Sequence, residues 1–502
     1  MEFALRNNLG SFILLIIIYF IITPVAPLSA AEISETTSEC IDCHVSVTPG
    51  IVSDWQKSRH AGVSFSEAML KPESERRVSA ESVPESLTDV AVGCAECHLL
   101  SPDTHGDTFD HVDYQVHTIV SPPDCAVCHA VEWNQYADNL MAYAHINLTG
   151  NELYKLMVNT VNGVHRFDGD AVSINNPDSL TDNASCLSCH GTRVTADGLI
   201  ERETDLGEME FPNLSGWPNQ GVGRINPDES VGSCTGCHAR HLFSITVARK
   251  PYTCSQCHKG PDVPAYKVYE VSKHGNIYSS LHDKWNFEHI PWTVGEDFTA
   301  PTCAVCHISL VVNEDEEIIA GRTHRMNDRL DKRLFGLIYA HPHPASPNTL
   351  IIKNKAGLPL PTELTGESAA EFLIGTDEQA VRLENMKNIC RACHAGGWVD
   401  GHFAMLDNTV ETTNAMTLTA TKILSRTWEE GLADGLPQGG NIFDEAIERM
   451  WTEQWLFFGN STRFAAAMGG ADYGVFANGR WYMSKNIAAM HDWLKMNRVL
   501  KQ

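Results

Sequence analysis

The sixteen cysteines of this 502-residue chain all fall in one pattern, Cys-x-x-Cys-His, which occurs eight times and leaves no cysteine over. Two thiols three residues apart lie on one helical turn and can add to the two vinyl groups of a haem, while the next residue places an imidazole beneath the iron. Disulfides and zinc sites also use cysteines, but neither explains a histidine directly after every pair. The pattern therefore predicts eight covalently bound c-type haems. The eight copies are Cys40/Cys43/His44, Cys94/Cys97/His98, Cys125/Cys128/His129, Cys186/Cys189/His190, Cys234/Cys237/His238, Cys254/Cys257/His258, Cys303/Cys306/His307 and Cys390/Cys393/His394.

Fifteen further histidines remain, which is enough to give every iron a second imidazole. Bis-histidine ligation suits electron transfer, because a six-coordinate low-spin iron changes its geometry little between redox states. A catalytic iron must instead keep one position open for its substrate. We expect about half of these histidines to be ligands and the rest to be ordinary surface residues.

The spacing of the motifs is irregular. Successive first cysteines are 54, 31, 61, 48, 20, 49 and 87 residues apart, which is no fixed-period repeat and predicts one compact array of haems. The short step from Cys234 to Cys254 predicts two closely packed haems. Since haems supply much of the apolar core, short helices and loops suffice around them and little sheet is expected. The polar stretch Ser66–Asp89 and the proline-rich stretch His341–Thr376 are typical of surface insertions.

From residue 408 to the end there is no cysteine, and apolar residues recur at helical spacing, for example Ile442, Ala446, Met450 and Trp451. This pattern predicts long amphipathic helices whose aromatic residues pack in a core or in a subunit contact. We therefore predict a mainly α protein. A compact multihaem cytochrome c domain of short helices and loops occupies residues 32–407, and a long-helix C-terminal bundle that mediates oligomerisation occupies residues 408–502.

The N-terminus has the features of an export signal. Arg6 supplies a positive charge, residues 12–22 are apolar throughout, and the small residues 29–31 offer a cleavage site. The apolar run is short for a spanning helix and Pro24 follows it, although an uncleaved anchor is the alternative. We predict that residues 1–31 are a signal peptide and that the mature protein is soluble in the periplasm or an equivalent compartment, where such haems are attached.

The charge of the chain limits its partners. With 37 basic and 63 acidic side chains, its formal net charge is −26 at pH 7. Nucleic acids and anionic membrane surfaces are polyanions that such a chain repels, so we exclude them as main partners. We expect a soluble or membrane-associated redox protein, such as a cytochrome, to exchange electrons with it.

Several segments resemble the octahaem cytochromes of the hydroxylamine oxidoreductase family, and the resemblance runs from about Cys40 to near the C-terminus. They are Cys254–Asp262 leading to Ser272–Gly275, Cys237–His241, Ala300–Cys303 with Thr323-His324 downstream, and Met386-Lys387 before Cys390 with Trp398-Val399 after His394. The resemblance implies that the fourth haem, held by Cys186, Cys189 and His190, is catalytic and lacks a protein ligand on its distal side. The other seven would be bis-histidine electron-transfer haems.

The resemblance also implies an acid/base pair, usually Asp-His, just after the sixth motif. This chain has Asp262 followed by Val263, so half of the proton relay is missing. Oxidative members of the family carry a tyrosine from a neighbouring subunit that is crosslinked to the catalytic haem, and reductive members lack it. Tyr482 is the first candidate here and Tyr473 the second, although the family's local Trp-His-Gly pattern is replaced by Phe476-Ala477-Asn478.

The distal ligands are expected among the remaining histidines. His60 lies shortly after the first motif and His241 follows its motif by three residues, while His274 and His324 lie in the family-like segments. His111, His145 and His289 complete the candidate set. None of them needs to bind the haem of the nearest motif.

Three functions remain open. The chain could oxidise hydroxylamine or a relative, it could reduce nitrite or hydroxylamine to ammonia, or it could be a non-catalytic electron conduit in which every iron is six-coordinate. The resemblance favours an enzyme, and the missing histidine favours reduction. It also implies a homotrimer, which we expect to form through the aromatic residues of the C-terminal region.

Overall fold

The computed structural model describes residues 31–204 and 206–502. The predicted signal peptide, residues 1–31, lies outside this part of the chain except for Ala31. Within the described ranges, no helix is both long and apolar enough to cross a lipid bilayer. The structure is mainly helical, as the sequence predicts, and its strands are few and short.

Short helices make up the motif-bearing part of the chain. Several of them are the motifs themselves, such as Cys186–His190 and Cys303–His307, so that both cysteines and the histidine share one helical turn. The helices before residue 310 are Glu35–Val47, Pro49–Lys57, Phe65–Met69, Ala95–His98, Pro122–Ala126, Ala130–Ala137, Ala144–Gly150, Glu152–Asn162, Ser179–Ala184, Cys186–His190, Ile245–Arg249, Pro251–Ser255, Ala265–Val271, Lys273–Leu281 and Cys303–His307.

Four antiparallel hairpins and one small sheet lie between these helices. The hairpins pair Thr108–His111 with Tyr114–His117, Val164–Phe167 with Val172–Asn175, Thr195–Thr204 with Gly207–Ser215, and Lys332–Arg333 with His341–Pro342. The three-stranded sheet contains Trp292–Thr293, Val311–Val312 and Ile318–Ala320. The fourth hairpin is short, but it places Arg333 directly opposite His341.

Longer helices form the last quarter of the chain. They are Thr376–Arg391, Gly396–Glu429, Ala446–Thr452, Asn460–Met468, Ala471–Val475 and Arg480–Leu500, with a π-helical stretch at Glu453–Gly459. The 34-residue helix Gly396–Glu429 is about 50 Å long. It continues through residue 408, where the sequence predicted a change of domain.

The aromatic residues of this region pack inside the chain. Trp428, Trp451 and Trp455 form one buried cluster, which also includes Tyr339 and Leu360. We expected aromatic residues such as Trp451 and Trp455 to form the surface between subunits, so this part of the prediction is wrong. A single chain can bury them because its segment before the last motif supplies apolar partners such as Tyr339 and Leu360.

The segment that supplies these apolar partners also differs from its sequence-based prediction. The stretch His341–Thr376 resembled a surface insertion because of its prolines, yet His341, His343 and Leu360 are 3%, 4% and 1% exposed. Its backbone is held by side chains of the surrounding structure. Asn151 donates to the carbonyl oxygen of Pro359 and Asn147 donates to that of Pro347, both at 2.9 Å. His341, His343 and Leu360 therefore belong to the interior, whereas Ile351 in the same stretch is 52% exposed.

Candidate functional site

The histidines of several motifs are oriented by a hydrogen bond at one ring nitrogen. His98 Nδ1 donates to the carbonyl oxygen of His117 at 2.8 Å, His307 Nδ1 to that of Met326 at 3.2 Å, and His190 Nδ1 to that of Ala144 at 3.3 Å. Each bond directs the Nε2 atom away from the carbonyl, which is the second-sphere support that metal-bound histidines require.

Five motif histidines face a second imidazole at nearly constant distance. Two metal–nitrogen bonds of about 2 Å on opposite sides of one ion separate the ring centres by roughly 6 Å. By contrast, the stacked rings of His105 and His117 are only 3.7 Å apart. The ring centres of the five pairs are separated by 6.2 Å for His44–His111, 6.3 Å for His60–His129, 6.4 Å for His98–His241, 6.5 Å for His238–His324 and 6.1 Å for His274–His394.

These pairs fit bis-histidine haems. Burial lowers the pKa of His60, His238 and His241 to about 4, so each ring is neutral at pH 7 and has a lone pair for a metal. His324 also has a pKa lowered to about 4 by burial, and its Nδ1 atom is buried without a hydrogen-bond partner. The spacing is too wide for ring packing and suits an iron between the rings.

Two other candidate ligands are placed differently. His145 Nδ1 donates to the carbonyl oxygen of Gly191, directly after the fourth motif, at 2.7 Å. His289 Nδ1 donates to Asp297 Oδ2, also at 2.7 Å. Both rings are thereby oriented with Nε2 available.

Cysteines of different motifs lie side by side. Thiols of motifs 1 and 2, 3 and 5, 4 and 6, and 6 and 7 lie close enough to shift each other's pKa. The contacts are Cys40–Cys94, Cys125–Cys234, Cys189–Cys257 and Cys254–Cys303. Thiols at longer range link motifs 2 and 3 through Cys97–Cys128, 5 and 6 through Cys237–Cys254, and 7 and 8 through Cys306–Cys390. The motifs therefore form one continuous array, and the fifth and sixth are neighbours as their sequence spacing predicted.

Two of the predicted haem-binding cysteines, Cys43 and Cys393, lie outside this row of thiols. Both are exposed, whereas the other fourteen cysteines are partly buried. The reason is their position, because the first and eighth motifs are the two ends of the row and only the first cysteine of each, such as Cys40, meets a neighbouring motif. The helix that carries Cys43, Glu35–Val47, accordingly buries only Thr37.

The fourth motif has charged neighbours. Burial lowers the pKa of His190 and the guanidinium of Arg333 lowers it further, whereas the hydrogen bond to Ala144 and the carboxylate of Asp262 raise it. The backbone of Asp262 is held by Asn460, which donates to its carbonyl oxygen at 2.7 Å.

The two candidate tyrosines lie in the C-terminal region. The ring of Tyr482 is 5.5 Å from that of Phe458 and is 38% exposed. Tyr473 is half-buried in the short helix Ala471–Val475. Tyr482 therefore lies at an accessible surface of the chain.

The sequence analysis missed a cluster around Arg333 and His341. These two residues face each other across the fourth hairpin, so their side chains share one face of the ladder. Together with Asn151 and Tyr154 they line a cavity of about 20 Å³, which has room for about one water-sized molecule. The available signal was His341-Pro342-His343, in which two histidines occur in an extended, proline-containing stretch.

Comparisons with known proteins agree with this geometry. Residues 228–321 match a family described as "Seven times multi-haem cytochrome CxxCH". A solved structure described as a hypothetical multiheme protein is 40% identical, covers 95% of this chain and 99% of its own, and has a TM-score of 0.88. A reducing HAO-like protein complex of Kuenenia stuttgartiensis is 17% identical, covers 93% of this chain and 86% of its own, and shares the fold with a TM-score of 0.61.

One curated relative matches over part of the chain. A probable nitrite reductase-hydroxylamine oxidoreductase fusion protein of Kuenenia stuttgartiensis is 28% identical over 301 residues, which are 55% of this chain and 26% of that protein. The chain thus spans about a quarter of the length of this relative. With the repeated haem-attachment motif and the near-complete match to a multihaem structure, these likenesses lead to one assignment. The chain belongs to the multihaem c-type cytochromes.

Proposed function

We propose that this protein is an oxidoreductase that carries eight c-type haems and converts small nitrogen compounds at one open haem, bound to Cys186, Cys189 and His190. The other seven haems would be bis-histidine electron carriers. The proposal is supported by the hydrogen bond that orients His190 through Ala144 and by the opposite effects of Asp262 and Arg333 on the pKa of this imidazole. An electron carrier needs two axial ligands, whereas chemistry on nitrite or hydroxylamine also needs groups that hold charge and protons.

The residues around His190 have separate roles at this site. When bound, the fourth haem supplies the redox-active iron. Ala144 orients the imidazole of His190 through its carbonyl oxygen. Asp262 holds a carboxylate beside it and is the candidate proton donor and acceptor. Val263 stands next to this carboxylate in place of the histidine that the family usually has, and a valine cannot relay protons. We therefore propose the reductive direction, from nitrite or hydroxylamine toward ammonia.

Assembly and location are part of the proposal. We infer an exported, periplasmic protein that receives electrons from a soluble or membrane-associated cytochrome and forms a homotrimer. Because Trp451 and Trp455 are buried within the chain, we place the assembly surface of the C-terminal region at Phe476 and Trp481, which are 65% and 58% exposed. Tyr482 lies beside this surface.

Optical and magnetic spectra of the purified holoprotein test the function. We expect mass spectrometry to find eight haem additions and the spectra to show one high-spin haem among low-spin ones. His190→Ala should abolish turnover while most of the low-spin signal remains, and His491→Ala, at an exposed position of the C-terminal helix, serves as the control. If every haem is low-spin, the protein is an electron conduit and the catalytic proposal is wrong.

A further inference from the structure

A group of converging buried side chains lies outside the haem-attachment motifs. His105, His117 and Asp124 are 5%, 0% and 8% exposed, and their ligand atoms all lie within 4.8 Å of one another. The two imidazole rings stack side by side, so they cannot flank an iron from opposite sides as the haem pairs do. They can instead occupy adjacent positions on one small ion. His105 Nε2 and Asp124 Oδ1 are 3.3 Å apart, close to the roughly 3.4 Å that separates two ligands of a tetrahedral zinc ion.

Two of these side chains are held by their other polar atom. His117 Nδ1 donates to the carbonyl oxygen of Ile119 at 3.1 Å, and Asp124 Oδ2 accepts from the amide of Ser121 at 2.7 Å. The atoms that remain for the cluster are His117 Nε2 and Asp124 Oδ1, and His117 Nε2 is buried without a hydrogen-bond partner. Outer hydrogen bonds of this kind orient the side chains that bind metals.

His105 is supported by a further carboxylate on the far side of its ring. Its Nδ1 atom lies 3.6 Å from Oδ1 of Asp107, a residue that is 1% exposed. The other carboxylate oxygen of Asp107 accepts from the amides of Thr118 and Ile119 at 2.9 and 2.8 Å. A carboxylate on the second ring nitrogen fixes the orientation of a metal-bound histidine and raises its basicity. Asp107 is therefore placed to direct Nε2 of His105 toward the cluster.

The charge of the cluster favours a cation. Asp107 and Asp124 are buried carboxylates, and buried charges in proteins are paired or bind metals. A proton on His105 is the competing cation, since these carboxylates outweigh burial and raise the pKa of His105 to about 9. A proton on His105, however, leaves Nε2 of His117 without a partner, whereas one metal ion engages both imidazoles and Asp124 together.

We propose that His105, His117 and Asp124 bind one divalent transition-metal ion, such as zinc, through His105 Nε2, His117 Nε2 and Asp124 Oδ1. Two imidazoles and one carboxylate are a ligand set that suits such ions, with a water molecule as the fourth ligand. Because all three side chains are buried, we assign the ion a structural role. This inference is separate from the proposed nitrogen chemistry and does not depend on which haem is open.

The ion would connect the second and third haem-attachment motifs. His98, the histidine of the second motif, donates from Nδ1 to the carbonyl oxygen of His117 at 2.8 Å. Asp124 directly precedes Cys125, the first cysteine of the third motif, in the helix Pro122–Ala126. One ion thus holds the residue that orients the histidine of one haem and the residue that precedes the attachment site of another.

Metal analysis of the purified holoprotein tests the assignment. Elemental analysis set against the haem content should find one equivalent of zinc or another divalent metal per chain, or one iron beyond haem iron. X-ray absorption at the edge of a non-iron metal should show nitrogen and oxygen neighbours at about 2.0–2.2 Å and no sulfur at about 2.3 Å. Asp124→Asn should lose most of this equivalent, whereas the exposed controls Asp103→Asn and His165→Gln should retain it.

A chelator tests the site if Asp124→Asn does not fold. Removal of the metal from the wild-type holoprotein should lower Tm by a few degrees, and added zinc should restore it. Wild-type protein that contains no metal beyond haem iron and takes up no added zinc would mean that His105 holds only a proton, and the inference would be wrong. It would also be wrong if Asp124→Asn and His117→Gln both kept the full equivalent. A metal-bound protein that acts on no nitrogen compound would overturn the proposed function alone.

Discussion

The pairing of His274 with His394 gives a sharp test of haem ligation. His274 lies in the first turn of the helix Lys273–Leu281, whose start is held by Ser272 accepting from the Gly275 amide at 3.1 Å. Its ring centre is 6.1 Å from that of His394. We expect His274→Ala to remove the distal ligand of the eighth haem and leave its iron five-coordinate.

The expected magnitude follows from the number of haems. With seven bis-histidine haems, the loss of one pair converts about one seventh of the low-spin signal to high spin. Electron paramagnetic resonance or magnetic circular dichroism of the oxidised protein measures this fraction directly. The haem count from mass spectrometry should not change, because the cysteines that attach the eighth haem are intact.

His402 provides a matched control in the same environment. It stacks on Trp398 with ring centres 5.4 Å apart, and Trp398 stacks in turn on His394 at 4.2 Å. The Nε2 atom of His402, however, donates to the carbonyl oxygen of Ala467 at 3.2 Å and is not free for a metal. His402→Ala should therefore leave the spin states unchanged. If His402→Ala creates the high-spin haem and His274→Ala does not, the spacing argument is refuted.

Three further predictions concern stability and assembly. Burial raises the pKa of Glu448 from 4.5 to about 7, so the unfolded chain loses this proton first and stability falls as pH rises from about 4.5 to 7. Glu448→Gln should raise Tm at pH 8, where it removes up to about 3 kcal/mol of the cost of ionising this buried carboxyl. It should not raise Tm at pH 4.5, and the exposed control Glu429→Gln should not raise Tm at either pH. Equal shifts of Tm at both pH values would contradict this. Trp451→Ala should lower the free energy of unfolding by about 3–5 kcal/mol, measured by denaturant titration. Trp481→Glu should convert a trimer to monomers in light scattering, and a trimer that survives both this change and Phe476→Glu would exclude this surface.

The haem-binding part of the site could be read from the sequence because its chemistry is local. A thiol pair and a histidine must share one helical turn, so the spacing alone identifies them. The distal histidines depend on the fold, yet the candidates His60, His111 and His241 each face a motif histidine in the structure. Local sequence does not indicate which pairs meet, since His60 meets the third motif and His241 the second. Nor does it indicate which thiols stay at the surface, as Cys43 does.

The pocket at Arg333 could not be predicted in this way. Prolines between residues 341 and 376 suggested a surface loop, because composition reports local backbone preference and not tertiary burial. The segment is instead buried by Trp428, Trp451 and Trp455. The same contacts explain why these aromatics do not form the subunit surface, since hydrophobic periodicity identifies an apolar face without identifying its partner.

The side-by-side cysteines give the molecule a branched topology. Motifs 1, 2, 3, 5, 6, 7 and 8 follow one another as a line, and the thiol contact of the fourth motif, Cys189–Cys257, joins that line at motif 6. Motif 6 is therefore the branch point of the array. Interrupting either arm leaves the other connected to the fourth motif, whereas interrupting the junction isolates it from both. With a haem at each motif, as proposed, electrons that enter at either end of this line would reach the fourth motif through motif 6.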